Sequence, residues 1–357
     1  MNILQVLFIL AFGVISTSIF SQNNARKIAS HEKYQFVQVL TYNTGLAETQ
    51  IGKIDLVPCV KHREKPQVKE IFTDGKIIDL LSPFIIGLQE VFTLSSFNLY
   101  SAAARARGLN YFPKNFEDIE KNGQMIITNF EVLDHTFQKF SKDLINKGIQ
   151  ALSIVDSLGN NFLILNIHTT FSDSNRFRAN HQLQFEEIAE FISENKDSFD
   201  GVIALGDFNA GPNLDFNKSK YKVSETVWDN NLLRLMQDQG LKVSSQQIKN
   251  TWDTKNKLVS LVTPFVLLGN LIMSPSHSLG WEEKGSILDH IFSSNIFNVI
   301  YSEVVMTHTV TFNTDVCPGR YESTKYNWGN FSESFWSGEM YLSDHFGVLS
   351  LLAYKIH

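Results

Sequence analysis

The sequence predicts a layered α+β domain, and three observations lead to that class. Short apolar runs rich in β-branched and aromatic residues recur from Phe36 to Tyr354, each bounded by polar residues. Between two of them one segment switches to helical periodicity. Hydrophobic residues make up 43% and charged residues 19% of the 357, with 28 Phe, which supplies a thick aromatic-rich interior and excludes a disordered chain. Strands spread along the whole chain, with helices interspersed, bury their apolar faces as stacked layers. Neither an internal repeat nor a low-complexity tract interrupts the pattern. The length alone would accommodate two or three domains, but β-sandwich enzymes of this size form one.

Residues 1–22 stand apart. Leu7 to Ile15 form an apolar run, followed by Ser16-Thr17-Ser18 and then Ile19-Phe20-Ser21, the pattern of a secretory signal. The run is too short for a membrane span, although no Lys or Arg precedes it. We therefore expect a signal peptide over 1–22, with an uncleaved anchor as the less favoured alternative, export, and one domain over 23–357. Phe36 to Leu40 and Phe84 to Leu88 are the first strand-like runs, followed by Asn161 to His168 and Val202 to Leu205. Between the last two, Phe185, Ile188, Ala189 and Ile192 repeat at i, i+3, i+4 and i+7 with Glu186, Glu187 and Glu190 between them, an amphipathic helix. Ile287 to Phe292 and Gly347 to Tyr354 complete the strands. Leu258 to Met273 is nearly all apolar, broken by Pro264 and Gly269, and reads either as a buried element or as a surface for lipid or a partner. Cys59 and Cys317 are too few for a disulfide scaffold or a closed zinc site, and whether they pair stays open. The net charge of −6 leans away from non-specific binding to nucleic acid.

Polar clusters accompany these strands in a fixed order. They are Thr41-Tyr42-Asn43-Thr44-Gly45, Gln89-Glu90, Asn166-Ile167-His168, Gly206-Asp207-Phe208-Asn209, Asp289-His290-Ile291-Phe292 and Ser343-Asp344-His345. Glu90, Asp207, Asp344 and the amide oxygens of Asn43 and Asn209 are hard oxygen ligands suited to Mg²⁺. His168 and His345 titrate near neutral pH, and Asp289 is a carboxylate able to hold His345 in one tautomer. Metal, imidazole and carboxylate together can activate water beside phosphorus. Singly, each cluster has a plainer explanation as a turn or a solvated loop. Their joint occurrence, each beside an apolar run, has none.

This series resembles the motif series of the endonuclease/exonuclease/phosphatase superfamily, from residue 36 to 354. The resemblance implies a four-layered α/β sandwich, two β-sheets packed face to face with helices outside. It implies that Asn43, Glu90, Asp207 and Asp344 bind Mg²⁺ or another divalent cation or its water. Asp207 and Asn209 would orient the nucleophilic water and the phosphate. His168 would stabilise charge on phosphorus, and His345, oriented by Asp289, would act as general base. His290 departs from the Tyr or other bulky residue common in relatives, a change expected to affect packing more than mechanism.

Three features resemble the neutral sphingomyelinase branch: Asn146-Lys147-Gly148, Thr251-Trp252-Asp253 followed by Asn256, and the aromatic stretch from Tyr326 to Tyr341. Lys147 is then a cation for a phosphate oxygen, or alternatively a solvated lysine before a turn glycine. Trp328, Phe331, Phe335 and Trp336 are candidate membrane contacts, or alternatively an ordinary packed loop. The resemblance implies a phospholipid surface as partner, with nucleic acid the less favoured alternative, and implies nothing about a protein partner. Against it, Gly206-Asp207-Phe208-Asn209-Ala210-Gly211 also resembles secreted nucleases of the pancreatic deoxyribonuclease type, and the superfamily includes inositol-phosphate phosphatases. A catalytically silent binding protein is opposed by the full set of metal and histidine positions.

Overall fold

The structure, a computed structural model, describes residues 34–46, 50–51, 54–55, 60–72, 77–119, 122–142, 146–170, 175–211, 232–245, 250–253, 256, 258, 287–307, 309–312 and 338–356. The expected signal segment, Cys59, Cys317, nearly all of the apolar stretch after Leu258, and Trp328, Phe331, Phe335 and Trp336 lie outside these residues. The first half contains β1 (Tyr34–Asn43), β2 (Gln50–Ile51), β3 (Ile54–Asp55), β4 (Phe84–Gln89), β5 (Asn110–Phe112), β6 (Met125–Thr128), β7 (Glu131–Lys139), β8 (Gly148–Val155) and β9 (Asn161–His168). The second contains β10 (Gly201–Asp207), β11 (Leu241–Val243), β12 (Asp289–Ser294), β13 (Phe297–Val305), β14 (Thr309–Phe312), β15 (Gly338–Tyr341) and β16 (Gly347–Lys355). The helices are α1 (Val60–Phe72), α2 (Leu94–Arg105), α3 (Phe116–Ile119), α4 (Asn175–Asn195) and α5 (Leu232–Asp238).

Two six-stranded sheets form the body, in the orders β13-β16-β1-β4-β6-β5 and β11-β12-β10-β9-β8-β7. Successive side chains on a strand point to opposite faces, and the buried residues sort accordingly. Val37 and Val39 of β1, Ile85 of β4, Ile164 of β9, Ile203 and Leu205 of β10, and Val348 and Leu352 of β16 meet in one core between the sheets. Leu40 and Tyr42 of β1 and Ile86 and Leu88 of β4 face the other way. They pack against Ile71 of α1 and Phe97, Tyr100 and Ala104 of α2. On the far side, Leu163 and Leu165 of β9 and Val202 and Ala204 of β10 pack against Phe185, Ile188 and Ile192 of α4 and Met236 of α5. The expected four layers follow: helix, sheet, sheet, helix.

Each of the buried Val, Leu, Ile, Phe and Met side chains contributes about 1.5–3 kcal/mol relative to exposure. A slip of one residue in any central strand would turn its whole inward set outward, so the core fixes the register. The register then fixes what stands at the strand ends. β1 and β4 run parallel, pairing Asn43 with Gln89. β9 and β10 run parallel, pairing His168 with Asp207, and β12 returns antiparallel, pairing Asp289 with Asp207.

Gly206 makes the close pairing of β10 with β9 feasible. Its φ is +151°, and an added Cβ would lie 1.9 Å from the carbonyl oxygen of Ile167. Because that neighbour is backbone in a central strand, Gly206→Ala should lower the unfolding free energy by about 3 kcal/mol. Urea denaturation of the variant measures it, and unchanged stability would show that the two strands separate freely here.

Candidate active site

The inward parity that supplies Val37 and Val39 reaches Asn43 at the end of β1. In the same way β4 ends on Gln89 before Glu90, β9 on His168 and β10 on Asp207. Asn43, His168, Asp207 and Asp289 are all buried. The chain leaves two of these strands under backbone constraint. Glu90 has φ of 61° and Asn209 has φ of 47°, left-handed conformations that non-glycine residues adopt rarely and that collect at functional sites.

Asn43 bridges the two sheets. Its Nδ2 donates to Glu90 Oε1 at 3.2 Å and to Asp207 Oδ2 at 2.9 Å, and its Oδ1 accepts from the Gly45 N–H. As placed, Asn43 shows its nitrogen to the carboxylates, and a ligand role for its oxygen requires the amide to rotate. Asp207 also accepts from the Asn209 backbone N–H at 2.9 Å and from Asn209 Nδ2 at 3.2 Å. His345 Nδ1 lies 2.8 Å from Asp289 Oδ2, and its Nε2 lies 3.9 Å from Asp207 Oδ2. Lys147 is buried, donating to the Thr169 carbonyl at 2.8 Å with its Nζ 2.7 Å from His168 Nε2. His168 Nε2 in turn lies 3.6 Å from Asp207 and 3.9 Å from Glu90. Asp344 sits next to Ser343, whose hydroxyl donates to it at 3.2 Å and to the Asn43 carbonyl at 2.8 Å.

The electrostatics divide the histidines. Burial, reinforced by Lys147 and His345, holds His168 well below the ordinary imidazole value. It is neutral, its Nε2 accepts from Lys147, and the local positive charge sits on Lys147. Burial also disfavours a charged His345, but Asp289, Asp207 and Asp344 outweigh it and raise its pKa well above 6.5. Desolvation and then Asp344 push Glu90 up, and desolvation, with Asp289 adding, pushes Asp207 up despite His345. The site therefore gathers more buried negative charge than its side chains neutralise. The Asn43 N–H group stands between Glu90 and Asp207 where positive charge is needed, so this oxygen-rich set fits a hard divalent cation. Asp207, Asp289 and His345 also present ligand atoms within 4.8 Å of one another and could hold a metal. However, the tight Asp289–His345 hydrogen bond already engages that pair, which suits a base better.

Two supporting residues on α1 carry no motif signal. Arg63 of α1 is fully buried and donates from Nη1 to the Leu342 carbonyl at 2.8 Å and from Nη2 to the Gly45 carbonyl at 2.5 Å. Gln67, one turn on, donates to the carbonyls of Thr44 and Leu342. Together they tie the loop after β1 to the segment before His345. Only their i, i+4 spacing on a very polar helix could have singled them out. Thr251 accepts at Oγ1 from the backbone N–H of Leu288 and Asp289. Trp252 forms a β-bridge with His345, and Asn256 donates to the Ser343 carbonyl. His290 donates from Nε2 to the Ala210 carbonyl at 2.7 Å, and burial lowers its pKa to about 4, so it is a neutral packing residue.

A family model described as the Endonuclease/Exonuclease/phosphatase family matches residues 40–345. Comparison with curated proteins by sequence gives no match. Similar solved structures include an endonuclease/exonuclease/phosphatase family protein from Bacteroides thetaiotaomicron, at 17% identity and TM-score 0.54, covering 91% of this chain and 100% of that one. A beta toxin from Staphylococcus aureus is 14% identical with TM-score 0.54, over 89% of this chain and 99% of the toxin. A mannosyl-6-phosphatase from Bacteroides thetaiotaomicron is 16% identical with TM-score 0.53, over 88% and 99%. At such identities the likeness establishes the fold.

The Asp289–His345 pair gives a direct pH test. With its pKa raised, the His345 ring in the metal-free protein becomes neutral only as pH rises through that elevated value. Asp289→Asn removes the negative charge that contributes most to the increase, so the His345 titration followed by NMR should move to lower pH. An unmoved midpoint would show that Asp289 does not set the state of this ring.

Proposed function

Because the chain belongs to the Endonuclease/Exonuclease/phosphatase family, whose members are metal-dependent phosphoric-ester hydrolases, we propose that it is an exported, sphingomyelinase-like phospholipase C. In this reading it hydrolyses sphingomyelin to ceramide and phosphocholine with Mg²⁺. The observation that carries the proposal is Lys147, buried inside the cluster 2.7 Å from His168 rather than solvated before a turn. Its Asn146-Lys147-Gly148 segment is one of the features shared with the sphingomyelinase branch. A second, Thr251-Trp252-Asp253 with Asn256, supports the Asp289 and His345 segments. Phe208, which resembles the nuclease pattern, gives no weight to DNA. It is fully buried on the outer face of its sheet, packed on Phe292 and His290 away from the cluster.

The residues then divide the work. Glu90, Asp207 and Asp344, with Asn43 after amide rotation, would hold the divalent ion, which when bound neutralises charge on the phosphate oxygens. His345, held by Asp289, takes a proton from the attacking water at Nε2. Water oxygen bonds to phosphorus as the bond from phosphorus to the ceramide oxygen breaks, and the departing oxygen takes up a proton from solvent to leave as the alcohol. Lys147, kept in place by neutral His168 and the Thr169 carbonyl, presents fixed positive charge to the phosphate. Asn209, bonded to the Thr169 carbonyl at 2.9 Å, orients Asp207. The aromatic stretch with Trp328, Phe331, Phe335 and Trp336 would dock the enzyme on the bilayer, where amphipathic rings are favoured.

Side-by-side assays on sphingomyelin vesicles and plasmid DNA, with and without Mg²⁺, test the reading. Lipid turnover that needs Mg²⁺ is expected, and DNA cleavage without lipid turnover would overturn it in favour of a nuclease. Trp328→Ala with Trp336→Ala should weaken vesicle binding and spare a soluble phosphodiester; equal loss on both substrates would assign the pair to packing.

A further inference from the structure

Two buried amides of the motif series, Gln89 and Asn166, have no part in the chemistry above. Both are fully buried, and they face each other across the gap between the sheets. Gln89 Nε2 donates to Asn166 Oδ1 at 2.7 Å and to Thr41 Oγ1 at 3.2 Å. Asn166 Nδ2 donates to the Leu88 carbonyl at 3.0 Å and to Gln150 Oε1 at 3.1 Å. Gln124 Nε2 donates to the Asn166 carbonyl at 2.6 Å. Gly87 permits the approach: a Cβ there would lie 3.0 Å from Asn166 Oδ1 and 2.5 Å from Leu205 Cδ1.

The place of this pair matters more than its burial. Gln89 immediately precedes Glu90, the carboxylate delivered by one sheet. Asn166 lies two residues before His168 on the inward face of β9, and His168 pairs with Asp207 of the other sheet. Apolar residues between the sheets could fill this space but could not set a direction, because the hydrophobic effect is non-directional. The directed hydrogen bonds of Gln89 and Asn166 do set one. We propose that Gln89 and Asn166 are positioning residues, an inter-sheet clamp that sets Glu90 against Asp207 and His168. The inference rests on Glu90 being a carboxylate that holds the divalent ion.

Mg²⁺ alone is the probe, titrated calorimetrically into the full chain, with turnover of a soluble phosphodiester measured in parallel. Gln89→Asn is one methylene too short to span the gap. It should weaken Mg²⁺ binding and lower kcat by about 10–100-fold, with KM changed by no more than about threefold. The transposed pair, Gln89→Asn with Asn166→Gln, restores the span and should recover most of both losses, a coupling that independent sites would not show. Thr41→Val, which removes one bond to Gln89, is the milder variant if either fails to fold, with a loss of about threefold in Mg²⁺ affinity expected. Folded Gln89→Asn or Thr41→Val protein with wild-type Mg²⁺ affinity would overturn the clamp, as would a folded transposed pair that recovers neither quantity. A different substrate preference leaves this titration intact, whereas wild-type protein that binds no Mg²⁺ would overturn the metal reading and the clamp with it.

Discussion

The closure of one sheet on the other, where β1 meets β10, is the constraint on which the rest depends. Along most of their length these strands point Val37, Val39, Ile203 and Leu205 into a shared apolar core. At their ends the same parity points Asn43 and Asp207 inward, joined by a 2.9 Å hydrogen bond. A register chosen to bury aliphatic side chains thus also brings residues 164 positions apart into contact. The site needs no folding code of its own. It is the polar end of the core.

The cost of that economy is electrostatic. Glu90, Asp207, Asp289 and Asp344 converge, Asp207 and Asp289 fully buried, and burial pushes Glu90 and Asp207 towards the neutral form. The protein answers with fixed positive groups. Lys147 enters from just before β8 beside His168, and Arg63 enters from α1 beneath the Gly45 and Leu342 carbonyls. A buried cation with no such partners would be strongly unfavourable, so both mark places where negative charge is being managed. The same imbalance is why a divalent ion fits here, and why the His345 pKa is raised.

Much of this was legible in the sequence because inward-facing strands leave continuous apolar runs. β1, β4, β9, β10, β12 and β16 all announce themselves this way, and the motif residues sit at or just beyond their ends. The amphipathic segment around Phe185 sits inside α4. What stayed hidden had no such signature. β7 is exposed along most of its length and carries Asp134, His135 and Lys139 where a central strand would carry Ile or Val. α1 reads as a solvated helix, yet Arg63, Glu64 and Gln67 on it are buried. Sequence alone cannot separate a polar face turned to water from one turned to backbone carbonyls. Lys147 was ambiguous for the same reason, and its burial sets aside only the solvated reading.

In the proposed reading the two sheets build one site in two halves, a metal half at Glu90 and Asp207 and a base half at Asp289 and His345. Mn²⁺ binding followed by electron paramagnetic resonance on single variants tests it most directly. Glu90→Ala should abolish tight binding, while Asp289→Ala should leave affinity within about threefold of wild type. The opposite pattern, with Asp289→Ala abolishing binding and Glu90→Ala sparing it, would move the ion onto the Asp207–Asp289–His345 group and contradict the account.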